Sequence, residues 1–422
     1  PYTVGSGGIA RSMDNPLQLQ LVNFKKDAYI IVEGKANADF FFILRSGNIR
    51  ISKEVQVVEE EESSTLQPGD FFGVVSTMST HSHIETAQAL TDVSLIQVHR
   101  DQYGVLIERN APVAMKIIQG FSKKVRYLDE ALTQITFKNS AEGDPDQLFK
   151  VAEYYARQSK YNQAYFSYFQ YVKAHPQGTQ AAVAKERMEK VKPYAKVAYL
   201  EGSDTEFTRT YPKDTMIFAE GQIGQEMYIL QRGQVKISKI VGDKEVLLAI
   251  LKPGDIFGEM SLIENKPRSA SADAYEDAVL LAVNRVNFQR MVTTQPQIIT
   301  RLTTLLAERI WNLYRQLFNA TMENPVGRLF DALMLQLEKN RVPLRAGSPY
   351  SFPFGPKELL NMVGLSSAEG NLFIKELFKA NGLKLIDNKI QVADVMEVEN
   401  QTKYFRKMDK LSKSRADAKA SR

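Results

Sequence analysis

The 422-residue chain contains no cysteine. That excludes disulfides, iron–sulfur clusters and thiolate zinc sites. Its four histidines, His81, His83, His99 and His175, form no HxxxH or HExxH spacing, so no histidine metal motif is present. No apolar run approaches the ~18 residues of a membrane span. The amino end, PYTVGSGGIARSMDN, lacks the apolar core of a secretory signal. A cytoplasmic protein with no membrane contact is expected. No GxxxxGK[ST] phosphate loop and no Ser/His/Asp set stand out, so no enzyme is expected. Excess positive charge is missing from most of the chain as well. Formal net charge is +5, but residues 403–422, KYFRKMDKLSKSRADAKASR, contribute +6 and the remainder sums to −1. The basic pI therefore describes a tail, expected as a solvated end over 401–422, and not a globular nucleic-acid surface.

The chain does contain an internal repeat. DAYIIVEGKANADFFFILRSG at 27–47 is matched by DTMIFAEGQIGQEMYILQRG at 214–233. Each copy continues into a short β-branched stretch, NIRIS or QVKIS, and then reaches PGDFFG at 68–73 or PGDIFG at 253–258. The offset drifts from 187 to 185 residues between the EG pair and PGD, as small loop changes in a duplicated domain would produce. Short alternating Ile/Val/Phe/Leu segments punctuated by glycine predict a small all-β roll in each copy. Val241-Gly242-Asp243-Lys244 reads as a hairpin turn. In the first copy the acidic VVEEEESS occupies that place. Helical segments follow at 110–132 and 295–318, each with proline in its first turn, where a missing N–H costs little. The apolar stripe Ile298, Leu302, Leu305, Leu306, Leu313, Leu317 reads equally as core or as the seam of a homodimer through 295–318.

The second copy carries FGEMSLIENKPRSAS, which resembles the phosphate-binding cassette of the cyclic-nucleotide-binding domain family. The resemblance covers about 15–132 and 205–318. It implies that Glu259 meets the ribose 2′-hydroxyl and Arg268 the cyclic phosphate. The backbone of Ser269 and Ala270 would complete the anion site, with Gly258 and Met260 beside them. Elementary chemistry agrees: a guanidinium meets a phosphodiester with paired, charge-assisted hydrogen bonds, and a carboxylate takes a hydroxyl donor. A short helical turn after Gly258 would add amide N–H groups. The bland alternative is that Glu259 and Arg268 pair only with each other. By the same resemblance the base is read near Leu313 and Tyr314, with cyclic AMP the expected ligand and cyclic GMP the alternative; no cofactor is expected. The first copy departs from the pattern. Val74 stands for the glutamate, His83 for the arginine, and Ile84-Glu85 for the small residues, so this copy is expected to be structural or to bind something else.

Between the rolls, DPDQLFKVAEYYARQSKYNQAYFSYFQYVKAHPQG at 144–177 resembles one tetratricopeptide repeat, with TQAAVAKERMEKVKPYAKV as a third helix. A lone repeat should be a spacer packed on its neighbours; a groove for a partner protein is the other reading. The tyrosines and phenylalanines from Tyr154 to Tyr171 read as core plus interface. GPKELLNMVG, a turn at Leu365-Ser366, and SAEGNLFIKELFKANG have helix-turn-helix spacing, and LKLIDNKIQV reads as a wing. The segment from residue 205 onward thus resembles a Crp/Fnr-type regulator. Ser367, Glu369, Asn371 and Lys375 are the candidate DNA contacts, on a helix poorly equipped with cations and interrupted by Gly370.

The expected fold is α+β: a degenerate cyclic-nucleotide-binding roll at 15–138, a helical tetratricopeptide-like segment at 139–200, an intact roll at 205–320, a winged helix-turn-helix domain at 324–400 and the basic tail. The expected function is a cyclic-nucleotide-responsive regulator of Crp/Fnr type with DNA as output. The alternative is a scaffold or assembly protein that kept the folds and works through protein contacts. Tandem rolls also occur in kinase regulatory subunits, but nothing here resembles their inhibitor segment.

Overall fold

A computed structural model describes residues 19–36, 38–53, 65–137, 146–195, 207–242, 244–365, 367–379 and 382–420. The first roll comprises β1 (Gln20–Phe24), β2 (Tyr29–Ile31), β3 (Phe40–Ser46), β4 (Ile49–Ser52), β5 (Thr65–Leu66), β6 (Phe71–Phe72), β7 (Thr86–Ala89) and β8 (Val93–His99), with α1 (Val74–Ser79) between β6 and β7. The second comprises β9 (Thr208–Tyr211), β10 (Met216–Phe218), β11 (Glu226–Arg232), β12 (Val235–Val241), β13 (Lys244–Leu251), β14 (Ile256–Phe257), β15 (Ser271–Ala274) and β16 (Ala278–Asn284), with α7 (Glu259–Glu264) between β14 and β15. Sheets β1-β8-β3-β6 and β2-β7-β4-β5 recur as β9-β16-β11-β14 and β10-β15-β12-β13, so the repeat seen in sequence is a repeat of topology.

The PGD signal has a structural cause. Gly69 and Gly254 both sit at φ 93°, a left-handed conformation that glycine tolerates. Their N–H groups donate to Leu44 and Leu230 carbonyls at 2.7 and 2.6 Å. The aspartate then closes the turn on itself: Asp70 accepts from Gln67 N and Asp255 from Lys252 N, at 2.9 and 2.8 Å.

Each roll feeds a long helix: α2 (Tyr103–Arg109) leads into α3 (Ala111–Phe137), and α8 (Arg285–Thr294) into α9 (Pro296–Ala320). These two helices lie against each other, α1 packs on α9, and α7 packs on α3. One core cluster therefore spans both rolls, joining Ile117, Phe121 and Val125 of α3 to Leu302, Leu306 and Ile310 of α9. The apolar stripe of α9 packs on the chain's own α3, which is the core reading of the two that the sequence allows.

The insert folds as α4 (Gln147–Arg157), α5 (Tyr161–Ala174) and α6 (Ala181–Val191). Its aromatic residues are core: Tyr155, Tyr168 and Tyr171 are fully buried, and the cluster extends into the second roll through Met216, Ala219 and Ile240. The carboxyl-terminal part runs α10 (Pro325–Lys339), β17 (Tyr350–Ser351), α11 (Pro356–Met362), α12 (Ser367–Leu377), β18 (Leu383–Ile386), β19 (Lys389–Val392) and α13 (Val395–Ala420), with sheet order β17-β19-β18. Gly370 is required where α12 crosses α11, because a Cβ there would lie 2.2 Å from Leu360 Cδ2. The basic segment is not a separate solvated end. It continues α13, whose Thr402 and Asp409 are buried and whose Phe405 stacks on Phe330 of α10. Alternating docking residues with lysines lets one helix face pack while the other stays charged. Among the described residues no helix is long and apolar enough to cross a membrane.

Candidate functional site

The second-roll cassette begins at Gly258, which caps α7 in a left-handed conformation, φ 73°. The conformation turns β14 sharply into the helix and places Glu259 in its first turn. Glu259 is buried, and its Oε1 accepts from Arg309 Nη1 of α9 at 2.9 Å. Arg268 is buried too, and its guanidinium is held by neutral groups. Nη1 donates to Gly258 O at 2.5 Å and to Ser261 Oγ at 2.6 Å, while Nη2 donates to Glu226 O at 2.7 Å. Nε is buried without a hydrogen-bond partner. The guanidinium carbon stands 4.1 Å from the Phe218 ring centroid. Burial pushes the Arg268 guanidinium below the ordinary arginine value, against the pull of Tyr228 and Glu259.

Glu259 and Arg268 therefore do not pair with each other, and the bland salt bridge is not what the fold builds. Space for the guanidinium is made by two glycines. A Cβ at Gly258 would lie 2.6 Å from Arg268 Nη1, and one at Gly224 would lie 2.5 Å from Arg268 Cζ. Sequence reading found Gly258 but missed Gly224, Ser261 and Phe218, which lie before or within the cassette without a charge to mark them. It also missed Arg309, which only the approach of α9 brings to Glu259. Arg209, bound twice to Glu226 at 2.7 and 2.8 Å, fixes the strand that supplies the Arg268 acceptor.

The other expected residues distribute as follows. Ser269 is half-buried and Ala270 buried beside Arg268. Met260 is buried in the central core, and Leu313 packs against that core. Tyr314 is not at its own roll's cassette. It lines the cavity of the first roll, with its hydroxyl bonded to Lys53 and its ring 4.1 Å from that ammonium. The reason is the crossing of α3 and α9, which turns this face of α9 toward the other roll. In the first roll Val74 and His83 are both buried, and Glu85 Oε1 accepts from Gly73 N at 3.3 Å. The side chains of Ser367 and Glu369 lie outside the described residues; Asn371 and Lys375 are exposed.

Two eight-stranded rolls, each with a short helix after a left-handed glycine and a long helix behind, define a tandem cyclic-nucleotide-binding-domain architecture. A family model described as cyclic nucleotide-binding domain matches residues 21–110 and 208–295. The Cyclic AMP receptor protein of Thermus thermophilus is 31% identical over 192 residues, 45% of this chain and 86% of that protein. A cAMP-dependent protein kinase regulatory subunit of Candida albicans is 23% identical over 275 residues, 65% of this chain and 44% of that protein. Among solved structures, the catabolite activator protein of Thermus thermophilus is 29% identical and covers 47% of this chain and 90% of that one, with a TM-score of 0.28. The chain belongs to the cyclic-nucleotide-binding family that includes the Thermus receptor, and it carries two such domains.

Proposed function

We propose that the second roll binds cyclic AMP, with cyclic GMP the alternative, and passes the event through α9 to the carboxyl-terminal domain as a Crp/Fnr-type regulator. The carrying observation is Arg268: a buried guanidinium facing only neutral acceptors, with no ion pair among the described residues. A buried cation is costly without an anion, and a cyclic phosphate supplies one in a geometry a guanidinium matches. The name of the Thermus relative, a cyclic AMP receptor, supports the same ligand. Glu259 takes the ribose hydroxyl. Because Arg309 also holds that carboxylate, a hydroxyl donor at Glu259 acts on α9.

The relay has a physical route. Six residues beyond Arg309, Arg315 of α9 reaches Asp331 of α10 at 3.5 Å and Glu338 at 3.1 Å. Arg406 of α13 meets the same Asp331 carboxylate at 2.5 Å. A shift of α9 is thereby felt by both helices that frame the output domain. The ligand can bias that domain only through its differential affinity for the two arrangements. The order α11, α12, then the β18–β19 hairpin supports a winged-helix reading, in which α12 would face DNA. Exposed Leu372, Asn371, Lys375 and Lys379 give that helix a mixed face. This favours retaining the second reading, an output domain that contacts protein. The insert, a tetratricopeptide-like spacer in this proposal, stiffens the second roll.

Calorimetry of the intact chain with cyclic AMP and cyclic GMP tests the ligand. Arg268→Ala should weaken binding at least about 100-fold, the worth of two charge-assisted hydrogen bonds. Unchanged affinity would remove the assignment. A gel shift at varied salt tests the output: specific DNA binding gives a sequence-dependent complex, whereas binding lost on deleting 403–422 assigns the effect to α13 alone.

A further inference from the structure

The cassette of the second roll is also held from the first half of the chain. Arg126 and Ser122 of α3 are buried, and both reach across the seam to Glu264, the last residue of α7. Arg126 Nε donates to Glu264 Oε2 at 2.9 Å, and Ser122 Oγ to Glu264 Oε1 at 2.7 Å. Arg126 Nη1 also donates to the Pro267 carbonyl at 3.3 Å, one residue before Arg268. The ion pair is shielded from water, its side chains being 9% and 3% exposed. One guanidinium therefore holds both ends of the turn that joins α7 to Arg268, a turn made at Asn265 with φ 57°. Its own roll supplies a weaker grip on the same turn, from Arg285 Nη2 to Leu262 O at 2.8 Å and to Asn265 Oδ1 at 3.3 Å. The Arg268 backbone is tied to Gln222 O and Gly221 N at 2.8 and 2.9 Å, so α3 adds control over the approach to it. The first roll has no such grip at the matching positions. At the offset of 185 residues that aligns the PGD turns, Glu264, Ser122 and Arg126 correspond to Ser79, Ala307 and Trp311. There His81 stacks on Trp311 instead, with ring centroids 3.9 Å apart. The buried ion pair thus accompanies the roll that keeps Glu259 and Arg268.

We propose that Arg126 and Ser122 are positioning residues of the second-roll site, through which the first half of the chain sets how firmly the second roll holds its anion. With the second roll as the cyclic-nucleotide site, the reading on which this rests, they act through Glu264 and the Pro267 carbonyl on the place where the Arg268 side chain begins. A binding group must be held to within about 0.5 Å by neighbours that are themselves locked by hydrogen bonds. A buried ion pair is weak evidence for stability, because apolar residues of the same volume often do as well. What this pair supplies is direction, since its fork reaches a carboxylate and a carbonyl on either side of one turn. The coupling is reciprocal: a ligand that needs the turn in this place also tightens the seam. The degenerate half thereby has a task that needs no cyclic nucleotide of its own.

The test uses the intact chain with two readouts, calorimetry with cyclic AMP and hydrogen exchange over residues 259–270. Arg126→Met alone strands a buried Glu264, so it is combined with Glu264→Met, which removes both charges and keeps the volume. The double variant should bind cyclic AMP about tenfold more weakly. It should also exchange about tenfold faster over 259–270, while β11 and β16 exchange as in the parent. Arg126→Lys keeps the charge without the fork and should recover part of both losses. Ile117→Val trims the same helix without removing a hydrogen bond to the cassette, and should leave both readouts unchanged. The positioning role is overturned if the double variant matches the parent, if exchange rises equally throughout the roll, or if Ile117→Val weakens binding as much. Should the double variant fail to fold, Arg126→Lys decides in its place: a loss of about threefold supports the role, and parent affinity with parent exchange overturns it. If the parent binds no cyclic AMP, the ligand reading fails, and exchange over 259–270 alone decides whether α3 positions the turn.

Discussion

At the scale of single residues, buried charge without contact neutralisation is concentrated in the second roll. Arg268 is the cation of this kind and Glu220, beneath the insert, the acid; Asp273, buried beside the insert as well, lies 3.8 Å from the Lys236 ammonium. Glu220 accepts from Ile240 N at 2.9 Å and from Gln147 of α4 at 3.0 Å, and burial pushes its carboxyl up to about 7. Asp273 has both oxygens buried without a hydrogen-bond partner, and burial pushes it up to about 6. Raised acids hold their proton in the folded state and lose it on unfolding. Their contribution is complete below the ordinary carboxyl value of 4.5 for Glu220 and fades as pH rises through 7. Glu220→Gln keeps the shape and removes the charge. It should melt higher than the parent at pH 8 by about 1–3 kcal/mol of stability, with the difference shrinking toward pH 5. A variant less stable than the parent at pH 8 would contradict this. Glu245 works oppositely. Burial alone would raise it, but hydrogen bonds from Lys160, Lys236 and Ser238 hold it down at about 2. Its contribution is lost only as pH falls below the usual carboxylate range.

At the scale of elements, α3 and α9 form the seam that makes two rolls one body. Leu306 is fully buried in it. Leu306→Ala should cost about 2–5 kcal/mol, the range for deleting a buried leucine side chain. Because the core is shared, the loss should lower the melting of both rolls in a single calorimetric transition. Two separate transitions would show that the seam does not couple them. The junction of α9, α10 and α13 rests on Asp331, fully buried between Arg315 and Arg406. Burial alone would raise this carboxyl, but the two guanidinium groups, with Asn319, hold it below the usual range. Asp331→Asn leaves two cations facing each other in a buried place and should cost about 3–5 kcal/mol. If the junction is the relay, the variant should keep cyclic AMP affinity within a few-fold while losing the ligand's effect on the output domain. Hydrogen exchange in α10 with and without cyclic AMP measures that effect.

At the scale of the whole molecule, the duplicated halves of one chain pack against each other through α3 and α9. Equivalent positions cross the seam in both directions. Lys53 of the first roll meets Tyr314 of α9, and Lys239 of the second meets Asp129 of α3 at 3.6 Å. The two halves have diverged at these points, one toward a phenol and one toward a carboxylate. We propose that the two rolls do not hold identical ligands. Calorimetry should find one cyclic nucleotide per chain, and two per chain would overturn this asymmetry.

The amino-acid order by itself determined the duplicated roll, the glycines that turn it, and the Glu259/Arg268 pattern. These are local signals, fixed by φ requirements, strand alternation and charge at short spacing. It also marked where the first copy departs, at Val74 and His83. Only the tertiary structure decided what α9 packs against, because an apolar stripe carries no address and core and seam have the same periodicity. For that reason it alone placed Tyr314 in the other roll, brought Arg309 to Glu259, docked the basic segment onto α10 as helix α13, and gathered Lys53 and Lys124 around one ring. Contacts between residues far apart in the chain depend on how surfaces meet, and a linear pattern does not encode that meeting until the core has formed.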